Sequence, residues 1–191
     1  MPFFARHIPG LATALSLVLC SVLIVLGHKD DFDQKLATSP VSYNTTSIAP
    51  IVIAYHNRSR NPSLIHSLSA TLAHNQPIRR LAFAILFQFT PPQKRVQAYL
   101  HHTPFGQVSG IKRAALYYFG VHHSKLTAGE MLLLCELAQG ADLPINDPIA
   151  ALHRRDALLT DLHNRGVLPS TTYHIERKRA LSLSADHRPV N

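Results

Sequence analysis

Apolar positions change their spacing along this chain in a way that divides it. Over residues 10–27 (GLATALSLVLCSVLIVLG) they run almost unbroken, and no Lys, Arg, Asp or Glu stands between Arg6 and Lys29. Such a run matches the ~20 residues of helix needed to cross a bilayer and predicts a transmembrane helix. Residues 28–50 are polar, rich in Ser and Thr, and contain Pro40 and Pro50, which predicts a linker. Helical spacing then takes over, first in Leu64, Ile65, Leu68 and Leu72, then in Ile78, Leu81, Ile85 and Leu86. Pro91-Pro92 predicts a helix end near Thr90 and a new helix carrying Val96, Tyr99 and Leu100. A loop with Pro104, Gly106 and Gly110 leads to Ile111, Ala114, Ala115 and Tyr118, with Gly120 placed to end that helix. Thr127 and Glu130 have the form of a capping box ahead of Met131, and a last helix spans 150–164 before Gly166. Strand alternation is lacking, so the fold class expected is all-α. The division is 1–28 for a cytoplasmic tip and membrane anchor, 29–50 for the linker, 51–183 for a helical domain and 184–191 for a tail.

Charge changes this picture more than length does. The formal net charge is +8, and Arg6, Lys29 and Lys35 balance Asp30, Asp31 and Asp33 in the first fifty residues, so the excess belongs to residues 51–191. Residues 34–129 contain no Asp or Glu, yet hold Lys35, Arg58, Arg60, Arg79, Arg80, Lys94, Arg95, Lys112, Arg113 and Lys125. A surface of that kind attracts anionic headgroups or phosphate-bearing ligands, with a solvated basic face as the plainer alternative. Arg6 before the apolar run favours a cytoplasmic N-terminus and an extracytoplasmic domain, where nucleic acid is not an expected partner. A cleaved signal peptide competes with the anchor, although Ile24-Val25-Leu26-Gly27-His28 lacks a small-x-small cleavage site. Cys20 and Cys135 give no disulfide framework.

The segment Gly110-Ile111-Lys112-Arg113-Ala114-Ala115-Leu116-Tyr117-Tyr118-Phe119-Gly120 resembles the G-I-x-x-A-A-x-x-Y-F-G signature of glycosyltransferase family 51. That family is the peptidoglycan glycosyltransferase, or transglycosylase, domain of class A penicillin-binding proteins and monofunctional transglycosylases. Tyr99-Leu100-His101 with Phe105-Gly106, Leu126-Thr127 with Glu130 and Leu133-Leu134, Gln139, Pro144, Pro148, Ala150-Ala151, Arg154-Arg155, and the turn of Leu162, Gly166 and Leu168 follow in the family's order. The resemblance is secure over residues 99–181. It implies a lysozyme-like helical glycosyltransferase domain, here shortened, in a divergent or truncated member.

The resemblance also says where chemistry belongs. The family polymerises the lipid-linked disaccharide-peptide precursor of peptidoglycan with two Glu side chains, one as base for the attacking hydroxyl and one on the donor side, while cations and a divalent metal ion assist the departing pyrophosphate. Ala54-Tyr55-His56-Asn57-Arg58 falls where the family has A-x-E-D-R, which makes His56 the candidate base. Ser63 stands in the region of the family's G-G-S-T-I-T-Q-Q, and Arg79-Arg80 replace its R-K pair, so Ser63, Arg79 and Arg80 are the candidate substrate-binding residues. The second Glu falls at Phe83, and the carboxylate-free interval removes both family carboxylates whatever the alignment. The adjacent pairs His101-His102 and His122-His123 point apart on a helix, and no Cys or carboxylate cluster completes a metal site, so no cofactor is expected. One reading is a single-pass bacterial inner-membrane protein of cell-wall biosynthesis, its domain on the periplasmic side. It would be catalytically degenerate and bind the membrane, the lipid-linked precursor or cell-wall synthesis enzymes. The other is an active divergent peptidoglycan glycosyltransferase.

Overall fold

A computed structural model describes residues 8–37, 45–57, 63–74, 76–141, 147–181 and 183–184. Arg6 and the expected cytoplasmic tip, Pro40, Arg58, Arg60, Pro144 and the tail from 185 lie outside the described residues. The described chain is helical almost throughout: α1 (Ile8–Gly27), α2 (Lys29–Ala37), α3 (Thr45–His56), α4 (Leu64–Ala73), α5 (Pro77–Gln88), α6 (Pro92–His102), α7 (Ile111–Phe119), α8 (Ala128–Ala138), α9 (Pro148–Asn164) and α10 (Ser170–Lys178). The exception to the all-helical expectation is a small antiparallel hairpin of β1 (Pro104–Phe105) and β2 (Val108–Ser109), with Phe105 opposite Val108.

Helix α8 shows why the layers close as they do. Every residue from 129 to 137 is buried, and a helix whose apolar side chains, broken only by Glu130 and Glu136, run all round has to sit inside the others. Helices α3 and α9 and strand β1 pack around it. Its N-terminus is closed by the anticipated capping box: Thr127 Oγ1 accepts from Glu130 N at 3.2 Å and Glu130 Oε2 accepts from Thr127 N at 2.9 Å. The expected apolar faces of α7 and α8 are realised, with Tyr118, Phe119, Leu133 and Leu134 all buried. Pro77 and Pro92 stand at the first turns of α5 and α6, where the missing N–H is tolerated.

The interval expected to be a linker contains helix. Lys29–Ala37 is α2, and α3 begins at Thr45 with Pro50 inside it. The reason for α2 lies in Phe32 and Leu36, one turn apart: Phe32 is buried against the edges of Phe83 and Phe87, with ring centroids 5.4 and 4.8 Å away, and Leu36 packs on the same core. Helix α1 lies against α5, and His28 is the one residue between α1 and α2. Among the side chains described, which for α1 are Ser16 and residues 19–27, no helix is long and apolar enough to cross a membrane.

Candidate functional site

The cationic candidates sit at the start of α5, where the packing of α4 on α5 brings Arg80 to His66. Ser63 is the N-cap of α4, its Oγ accepting from His66 N at 3.3 Å. His66 then meets Arg80, whose guanidinium lies against its Nε2. Arg79, one position earlier, turns toward α2: it donates to Asp31 Oδ2 and lies over the ring of Phe83, 5.3 Å from the centroid. Ser63 and Arg80 are thus joined through His66, whereas Arg79 is engaged by the N-terminal segment. Two arginines in the first turn oppose the helix dipole, whose N-terminal end is itself positive. The arrangement concentrates positive potential there.

His56 is elsewhere and closed off. It ends α3 and is only 1% exposed, with its ring edge-on to Tyr55 at 5.4 Å and to Tyr99 at 4.8 Å. The candidate base therefore serves as a packed aromatic in the core and has no open face toward a substrate. Burial raises the neighbouring Tyr99 phenol well above its ordinary pKa and pushes the Cys135 thiol up to about 12, which makes Cys135 an inert apolar filler.

A second polar cluster was not visible in the motif spacing. Tyr55 Oη donates to Glu136 Oε1 at 2.9 Å, and Arg154 binds Glu136 Oε2 through Nε at 2.8 Å and through Nη2, which ties α3, α8 and α9 together. Arg155 turns the other way and donates to the carbonyl of Arg179 at 2.6 Å and to Asp156 Oδ1 at 2.8 Å. The Arg154-Arg155 pair of the resemblance thus holds helices together. Beside α3, a cavity of about 540 Å³ is lined by Ala49, Pro50, Ile53, Ala54, Pro92 and Arg165, and Arg165 Nη1 donates to Ala54 O at 3.0 Å.

The same scaffold role accounts for much of the motif around α7. Gly110 has φ 81°, and a Cβ there would lie 2.8 Å from the carbonyl of His101. Tyr118 Oη donates to Phe105 O at 3.0 Å and accepts from Gln107 N at 3.1 Å, so it pins the β1–β2 hairpin. The His101-His102 rings are 4.7 Å apart and those of His122-His123 4.0 Å apart, yet among the described residues no three His, Cys, Asp or Glu side chains gather as a metal site would require.

Comparison with known proteins follows the scaffold. Residues 79–163 match the Transglycosylase family model. A penicillin-binding protein 1B of Buchnera aphidicola subsp. Baizongia pistaciae (strain Bp) is 30% identical to this chain over 112 residues, which is 55% of this chain and 15% of that relative. The matched span is similar to a divergent transglycosylase domain. The transglycosylase match opens at Arg79 and takes in Arg80, α6, the hairpin, α7 and α8, and nearly all of α9, so these elements are the part similar to that domain. His56 and Ser63 stand before the matched span. What the structure adds to the family motif is Asp31 and the Tyr55–Glu136–Arg154 cluster, both built from residues far apart in sequence.

Proposed function

We propose that this chain is a membrane-anchored, peptidoglycan glycosyltransferase-like protein of the bacterial inner membrane that binds a lipid-linked, phosphate-bearing precursor and does not polymerise it. The kinship with a transglycosylase domain and with a penicillin-binding protein 1B supports a place in cell-wall synthesis. Anchoring is supported by α1, whose 20 residues carry no charge, and by the exposed apolar side chains Leu19, Leu23 and Leu26 on α1 and Ile78 and Leu81 on α5. Positive charge at the start of α5 suits a diphosphate near the membrane surface, because binding an anion requires only donors and charge.

The observation that carries the reading is the fate of the base. Glycosyl transfer needs a group to take the proton of the attacking hydroxyl, and the residue that replaces the family carboxylate, His56, is sealed between Tyr55 and Tyr99. Loss of a general base typically lowers rate by about 10² to 10⁴, and here no Asp or Glu occurs anywhere in residues 34–129 to replace it.

The test is glycan-chain synthesis from purified lipid-linked precursor, run beside binding of the same precursor. The expected result is salt-sensitive binding, weakened in Arg79→Ala/Arg80→Ala, with no glycan chains formed. Chain formation by the purified protein would instead establish an active divergent enzyme, and His56→Ala would then ask whether His56 becomes exposed to act.

A further inference from the structure

Resting on that phosphate-binding reading, we propose that Asp31 is an internal competitor for Arg79: the helix next to the anchor places its own carboxylate where a phosphate oxygen would bind. Arg79 Nη2 donates to Asp31 Oδ2, and a carboxylate and a phosphate present the same kind of anionic oxygen to a guanidinium. The pair lies at the surface, with the Arg79 side chain 18% exposed and that of Asp31 38% exposed, so an anion from solvent can reach the contact.

Asp31 is delivered there by packing. Its neighbour Phe32 is held by Phe83 and Phe87, and three residues after Phe32 the carbonyl of Lys35 accepts from His102 Nε2 at 3.0 Å, which fixes α2 at both ends. Lys29 and Asp33, also on α2, pair with each other at 2.9 Å and leave the approach to Arg79 to Asp31. The helix is therefore seated so that one of its aspartates meets the first arginine of α5, in a chain where residues 34–129 offer no carboxylate of their own. An anion binding Arg79 must displace Asp31, so affinity for phosphate is set partly by how firmly α2 is seated.

The experiment is titration of the full chain in neutral detergent with inorganic pyrophosphate and, separately, with mixed micelles containing phosphatidylglycerol, the two sources of phosphate oxygen. Asp31→Asn is expected to tighten binding by roughly three- to fivefold, the scale of a partly exposed ion pair. Asp30→Asn, which removes the same charge from the same helix, is expected to change it much less. In an Arg79→Ala background the gain from Asp31→Asn should vanish. A gain with pyrophosphate assigns the competition to a soluble diphosphate, and one confined to the micelles assigns it to a lipid headgroup. Equal binding by the wild type and Asp31→Asn, an equal gain from Asp30→Asn, or a gain that survives Arg79→Ala would overturn the competition while leaving phosphate binding in place. No binding of either probe by any variant would overturn both.

Discussion

Gly129 is buried in the first turn of α8, and its lack of a side chain is used by Arg155. A Cβ at this position would stand 2.6 Å from Arg155 Cδ and 2.8 Å from its Cγ. Arg155 cannot easily yield, because its guanidinium is held by the Arg179 carbonyl and by Asp156 and its side chain is buried. The amide of Gly129 also donates to Glu176 Oε2 at 3.2 Å, which joins α8 to α10. Gly129→Ala is therefore expected to destabilise the domain by about 1–3 kcal/mol, the usual range for overpacking a filled core. A lowered urea midpoint at unchanged slope would bear this out, and wild-type stability would show that Arg155 has room to move.

Between elements, the seam of α2 and α6 is sensitive to pH through His102. Burial lowers the pKa of His102 below its usual value, and the charges of His101 and Lys35 act in the same direction, against the opposing effect of the hydrogen bond to the Lys35 carbonyl. The folded state therefore prefers neutral imidazole. As pH falls below the unfolded value of about 6.5, the unfolded chain takes up the proton first. The stability His102 contributes is full above that value and declines until pH passes the folded pKa. His102→Gln, whose amide can still donate to Lys35 O, should flatten the dependence of Tm on pH between about 7 and 5 relative to the wild type. An unchanged slope would assign the dependence to other groups, of which His123, also lowered by burial, is one.

Elements with local signals were legible in the sequence. The glycines around α7, the capping box of α8 and the proline opening α6 act within one turn of chain, and each lies where its spacing predicts. Helix α2 escaped because three aspartates and two lysines among nine residues read as a solvated segment, and the Phe32–Leu36 pair was its one helical signal. The cations of the site were legible for the same local reason, as adjacent arginines. Their partners were not: Asp31 is 48 residues from Arg79, and Glu136 is 81 from Tyr55, separations at which periodicity says nothing of contact. His56 shows the converse, since a residue that the resemblance sets at a catalytic position gives no sign in its neighbours that two tyrosines will enclose it.

For the molecule as a whole, charge and apolarity offer two distinct ways of holding a membrane. A net charge of +8 attracts anionic lipid, and that attraction is screened within ~10 Å at moderate salt and within ~3 Å at very high salt. Burial of the apolar α1 in lipid is not screened in this way. If α1 anchors the protein as proposed, washing membranes with concentrated salt should leave it in the pellet and detergent should release it. Release by salt alone would mean that the basic domain does the holding.

The junction of α1 and α2 bears on reach. His28, between them, donates from Nδ1 to the carbonyl of Ile24 at 2.9 Å, and its own carbonyl accepts from Phe32 N at 3.0 Å, so the two helices meet without slack. Helix α2 lies against α5 and α6, so it seats the domain directly beside α1 and adds no free stalk. With α1 in the bilayer, the domain would work at a short, set height like a tool on a rigid arm, serving groups that protrude just above the headgroups and leaving the distant layers of the wall to proteins with longer stalks.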